Sequence, residues 1–138
     1  MAATVETKLW LALKARIETL PLGFSIAWPK EDFTPVAGQP YLKVTHTLTM
    51  NERPFIGNSD PQFRQGILQV GLHTPVLPQP AETDIQYAGQ ISAHFWANPT
   101  LIYEDVKVRI QRAPDVGNAY RVENYWFTPT NIPWESFA

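Results

Sequence analysis

Thirteen prolines in a chain of 138 residues, about twice the usual ~5% share, constrain this fold more than any other feature. Each proline lacks a backbone donor and has a fixed φ, so it stops a helix and interrupts the hydrogen-bonded ladder of a sheet. The prolines are therefore expected in ordered connections, cutting the chain into short elements. Disorder, the other setting for proline-rich sequence, is opposed by five Trp, five Tyr and seven Phe, enough large apolar surface for a packed core. The length allows one domain over residues 1–138. Cysteine is absent, which excludes a disulfide framework, a thiolate zinc site, an iron–sulfur centre and a cysteine nucleophile.

Between the breaks, hydrophobic periodicity assigns the elements. Val5, Leu9, Leu13, Ile17 and Leu20 recur at helical spacing, with Thr4 as N-cap and Pro21 followed by Gly23 as the stop. From Tyr41 to Thr49, Leu42, Val44, His46 and Leu48 alternate with Lys43, Thr45, Thr47 and Thr49, the pattern of a half-buried strand with a threonine-rich outer face. Met50 to Gln65 is dense in turn formers and carries Arg53, Phe55, Phe63 and Arg64. Gly66 to Thr74 alternates again, so the two strands read as a hairpin with a long loop at its tip. A second helix is expected from Pro80 to about Trp96, with Ile85, Ala88, Ser92 and Phe95 as its core stripe and Gly89 retained for close packing against the sheet. Leu101 to Arg112 and Ala119 to Thr128 read as a third and a fourth strand, with a short fifth near Ile26 or Ile132. The order implies an α+β domain: two helices packed on one face of a mainly antiparallel, four- to five-stranded sheet.

The chemistry-bearing residues do not converge. His46, His73 and His94 are the only imidazoles, and no two have the close spacing of a metal-binding pair, so no metal or cofactor is expected. His46 and His73, facing each other across the hairpin, would be the only nucleus for a small hydrolase; satisfied sheet-face histidines are the better reading. Ser25, Ser59, Ser92 and Ser136 lie outside any Gly-x-Ser-x-Gly elbow, and the carboxylates read as caps and solvated edges. A net charge of −2 disfavours tight grip on nucleic acid. A basic stripe of Lys107, Arg109, Arg112 and Arg121 is balanced by Glu104, Asp105 and Glu123. No apolar window approaches the ~18 residues of a membrane span and no secretory signal is evident, so the chain reads as a soluble intracellular product. Tyr125, Trp126, Trp134 and Phe137 crowd the last segment, where core and interface roles are equally open.

Several segments, in order along almost the whole chain, resemble a family of small tailed-bacteriophage proteins related to the tail terminators. They are Ala12 to Ile17, Ile26-Ala27-Trp28-Pro29, Phe33-Thr34-Pro35, Pro40 to Val44, Gly66 to Val70, Pro75, Ile91, His94-Phe95, Val108-Arg109-Ile110, Pro114 and Val116-Gly117. Val76-Leu77-Pro78-Gln79-Pro80 stands where the family usually has glycines, so that loop is expected to differ in shape. The resemblance implies a structural role in the virion tail and no enzymatic one. A homo-oligomeric ring, commonly six subunits, would cap the head-proximal end of the tail tube, stop its polymerisation and present the head-joining surface. The tail tube protein and a head–tail connector would be its partners, and DNA would only pass through the lumen. Arg53, Phe55, Phe63 and Arg64 are then the expected contacts with a neighbouring subunit or the tube. The alternatives are a head–tail connector, the small hydrolase, and a nucleic-acid-binding module using Arg109 and Arg112.

Overall fold

The computed structural model describes residues 3–52 and 61–138. Two helices, α1 (Val5–Glu18) and α2 (Ala81–Ala97), accompany eight strands among the described residues. These are β1 (Ser25–Ala27), β2 (Tyr41–Glu52), β3 (Phe63–Pro75), β4 (Thr100–Tyr103), β5 (Val106–Ile110), β6 (Asp115–Val116), β7 (Tyr120–Val122) and β8 (Tyr125–Phe137). They form one sheet in the order β1-β2-β3-β8-β5-β4, with β6 and β7 also paired to β8.

The α+β class and the two expected helices are present. Thr4 caps α1, its hydroxyl accepting from the Thr7 N–H at 3.3 Å. Leu9, Leu13 and Ile17 from α1 and Ile91 and Phe95 from α2 form one buried cluster with Leu42, Val44, Leu68, Val70, Leu72, Ile132 and Trp134 of the sheet, and Ala88 of α2 is buried as well. The helices are also joined to each other. The Arg16 guanidinium donates to the His94 carbonyl, and the His94 ring bonds the Arg16 carbonyl at 3.1 Å and the Thr19 hydroxyl at 2.8 Å. Lys8 fastens α1 to the β4–β5 turn through Asp105 at 2.6 Å and Glu104 at 3.3 Å. In α2, Ile85 is 62% exposed, and Gly89 is exposed with open space where a Cβ would sit. Neither the core role expected of Ile85 nor the close packing expected of Gly89 holds.

The sheet corrects the expectation of four to five mainly antiparallel strands. Among the described residues it has eight, and it is mixed, because β1 runs parallel to β2. Two segments read as single strands are each folded back as a tight hairpin: Tyr103 pairs Val106, and Val122 pairs Tyr125. Glu104 and Glu123 open those two-residue turns at φ 53°. A turn that needs positive φ ordinarily announces itself with Gly or Asn there, and a glutamate gives no such signal.

Prolines also enter the sheet. β8 pairs β3 without interruption from Phe63↔Phe137 to Pro75↔Tyr125, although it contains Pro129 and Pro133. Both prolines turn toward the opposite flank, where the Pro129 carbonyl accepts from Gly117 N–H at 2.8 Å and the Pro133 carbonyl from Gln111 N–H at 2.9 Å. Residues four apart in a strand point their backbone groups to the same side. Both missing donors therefore fall where the partner chain breaks between β5, β6 and β7, and the β3 ladder stays whole.

Candidate assembly surface

Strand alternation gives this sheet two unlike faces. Even-numbered positions of β3 point into the core beneath the helices: Leu68, Val70 and Leu72 are fully buried. Odd-numbered positions, with their register partners on β2 and β8, form a face that neither helix covers. Glycines let aromatic rings lie flat on both faces. A Cβ on Gly66 would strike the Trp134 ring on the core side, and one on Gly71 would strike the Phe127 ring on the uncovered side.

The uncovered face has three zones. At one end His73 stacks on Tyr41 with ring centroids 4.4 Å apart and packs against Phe127 at 4.8 Å. Tyr125 stands edge-on to Tyr41 at 5.3 Å. Burial raises the Tyr41 hydroxyl pKa and lowers that of His73, so both are held neutral. The middle carries exposed Thr45 and Thr47, Ile67 at 40% exposure, and a Gln69–Asn131 side-chain hydrogen bond of 3.0 Å. At the far end Phe63 packs on Phe137 at 5.0 Å, beside the Arg109–Glu135 ion pair.

The sequence candidates separate on this frame. Arg53 and Phe55 lie outside the described residues. Phe63 is half-buried on the uncovered face. Arg64, the next residue, points to the helix side, where its side chain is 8% exposed. Its guanidinium donates to Glu6 at 2.7 Å and to the Ala138 carbonyl at 3.4 Å. The Arg64 charge is thus satisfied within its own subunit. At the C-terminal end of β8, Trp134 is fully buried on the core face, while Phe137, three residues on and therefore on the other face, is 60% exposed. Exposed Ile67 agrees with its alternation against Leu68 and Leu72, and exposed Phe137 settles toward the surface a position the sequence left open, whereas exposed Ile102 escaped the sequence reading because it lies in a hairpin that was read as one strand.

A catalytic nucleus is not assembled from the histidines. His46 lies on the core face between Trp10 at 5.7 Å and Trp134 at 5.4 Å, whereas His73 lies on the uncovered face. The hairpin therefore keeps them on opposite sides of the sheet, and burial lowers the pKa of His46 as well. His94 serves the end of α1, its pKa lowered chiefly by burial. Among the described residues, no three His, Asp or Glu side chains converge to hold a metal ion. A cavity of about 460 Å³ opens beside the start of α2, between Leu77, Ile85 and Trp126, and Asp84 is its one charged lining residue among those described. Two of the four charges in the basic stripe are paired, Arg109 with Glu135 and Arg112 with Asp115 at 2.8 Å, and Arg121 donates to the Glu123 backbone carbonyl at 2.6 Å. No helix among the described residues is long and apolar enough to cross a membrane.

No curated protein matches this sequence. Among solved structures, one aligns over 96% of this chain and 96% of its own, with a TM-score of 0.76 at 18% identity, a likeness of fold. A protein-family model described as phage tail terminator protein matches residues 8–134.

Proposed function

Because the chain belongs to the phage tail terminator family, we propose that it closes the head-proximal end of the tail tube as a ring of identical subunits, commonly six. In that position it stops tube polymerisation and offers the surface to which the head, through a connector protein, is joined. The family match over residues 8–134 carries this reading. Its coarser part, a structural protein of the phage tail, follows from membership alone.

The surface chemistry supports the finer part. A sheet face with no helix over it, carrying exposed Ile67 and Phe137 among threonines and amides, suits a subunit completed by neighbours rather than by its own chain. Arg53 and Phe55, in the connection between β2 and β3, remain the proposed contacts with the adjacent subunit or the tube, with Phe63 at the first residue of β3 after that connection. Arg64 joins them only by supporting the hairpin through Glu6. The net charge of −2 and the paired arginines suit a lumen through which DNA slides without being held. The work is done by binding, not by catalysis.

Electron microscopy of particles produced without this protein tests the proposal. Overlong tubes beside unattached filled heads are expected. Tails of normal length beside unjoined heads would move the protein to the connector, and intact infectious particles would overturn both assignments.

A further inference from the structure

The sheet ends in two strands whose outer edges are unlike those of most stable monomers. β1 covers β2 only at Tyr41, Leu42 and Lys43. From Val44 to Glu52 the same edge of β2 has no strand beside it, and none of its backbone groups bonds elsewhere in the chain, among the described residues. A row of unpaired N–H and C=O groups invites another strand, and natural edges are blunted with Lys, Pro or inward charges. Here Val44-Thr45-His46-Thr47-Leu48-Thr49 has no proline and no Lys, Arg, Asp or Glu, and three of its six residues are threonine. Among the described residues, the one irregularity in this stretch of the ladder is the register shift between Leu48 and Met50. At the opposite end of the sheet β4, Thr100-Leu101-Ile102-Tyr103, pairs among the described residues only with β5, is equally free of charge and proline, and exposes 66% of Ile102.

The two edges match in direction. Each step from β2 to β3, β8, β5 and β4 is antiparallel, so β4 runs the same way as β2. A rotation about an axis along the strands preserves strand direction. It would bring β4 of one copy alongside β2 of the next in parallel, the same sense in which β1 already pairs on that edge. Such a contact is heterologous, and it generates a ring where the rotation between successive copies closes. Thr47 and Ile102 would lie on the same, helix-free face of the joined sheet, by their register with Ile67 and Lys107.

We infer that the free edge of β2, Val44–Leu48, takes up β4 of a second copy of this chain, so that the sheets of adjacent subunits join through parallel backbone hydrogen bonds. The inference rests on the ring proposed above.

Hydrogen exchange on the full-length protein, first as the dilute subunit and then as the ring isolated on tail tubes, tests it. Amides of Val44–Leu48 that point to the edge should exchange freely in the subunit. In the ring they should slow by at least about tenfold, the scale of 1.4 kcal/mol of protection. As an independent readout, the absence of native cysteine makes a Thr47→Cys/Ile102→Cys pair specific. Oxidation should join neighbouring subunits into covalent multimers, while either single variant yields none beyond a dimer. A ring whose Val44–Leu48 amides exchange as in the subunit overturns this inference and leaves the ring standing. A chain that never forms a ring, even on tail tubes, overturns both.

Discussion

Substitution of Gly66 by alanine probes the packing of the whole sheet through a single methyl group. Gly66 lies on the core face of β3, opposite Leu48 on β2 and Trp134 on β8. A Cβ there would press into the Trp134 ring and sit 2.6 Å from the Thr47 carbonyl oxygen. Neither neighbour yields easily: Trp134 is fully buried against His46, and the Thr47 carbonyl belongs to the hairpin backbone. Overpacking a core typically costs about 1–3 kcal/mol, and two rigid obstacles place this change near about 3 kcal/mol. Alanine's better strand propensity returns less than about 1 kcal/mol. With an unfolding entropy of about 2.1 cal/mol/K per residue, a 138-residue chain would lose roughly 7–10 °C in melting temperature. Gly89→Ala is the matched control, because its Cβ would meet nothing within 4 Å on an exposed helix. It should gain about 1 kcal/mol, or roughly 3 °C. Thermal melts of both variants by circular dichroism check the contrast. A Gly66→Ala protein melting within about 2 °C of the parent would refute the placement of the Trp134 ring over β3.

The buried histidines make stability depend on pH. All three have folded pKa values below the usual range, chiefly through burial, so unfolding takes up protons and stability falls as pH drops through about 6.5 toward the folded values. Urea midpoints at about pH 7.5 and about pH 5.5 should differ, and His46→Phe, which keeps a ring between Trp10 and Trp134, should reduce the difference. Glu6→Gln should cost about 1 kcal/mol, because the nearly buried Arg64 loses its carboxylate while the 63% exposure of Glu6 limits the loss through screening. The Glu6 carboxyl is held below its usual range, first by backbone hydrogen bonding and then by Arg64. Its contribution is therefore present above about pH 4.5 and lost as pH falls through the folded value, a component that equilibrium unfolding of the Gln variant should lack. The double variant Arg53→Ala/Phe55→Ala should melt within about 1 °C of the parent yet fail to form rings or join tails, scored by electron microscopy. Normal assembly would remove those two residues from the proposed interface.

Elements with a long, unbroken period were legible in the sequence, and elements defined by their ends were not. α1 and the β2–β3 hairpin follow directly from apolar spacing, because local pattern and final burial agree at Leu9, Leu13, Leu42, Leu68 and Leu72. The α2 stripe was right at Ala88 and Phe95 but wrong at Ile85, which lines the open cavity beside Leu77 and Trp126 instead of packing into the core. The tight turns at Glu104 and Glu123 were invisible because tertiary pairing imposes positive φ on residues that do not favour it. The candidate surface was less legible still. The threonine face of β2 could be read from alternation. The inward turn of Arg64 and the outward turn of Phe137 depend on register across β3 and β8, which are distant in sequence.

Pro129 and Pro133 show why composition misleads when it is not resolved by side. Counted as breakers, they divide residues 125–137 into fragments; placed four residues apart, they remove donors from one flank of a strand only. A strand of that kind can form a continuous ladder with one neighbour and must accept an interrupted one on the other. β3 is the continuous neighbour, and β5, β6 and β7 are the interrupted set, their register with β8 stepping at each break. The spacing of the two prolines therefore bears on strand order: it favours setting β8 against the β2–β3 hairpin and leaves the fragmented chain on its other flank. Moving one of them by a single residue, as in Pro133→Ala with Ile132→Pro, would aim a missing donor at β3. That change should destabilise the fold by about 3 kcal/mol or more, through the lost β3 ladder bond together with the lost packing of buried Ile132; Ile132→Ala isolates the packing part, and Pro133→Ala alone leaves the β3 ladder intact and shifts the melting point by only a few degrees.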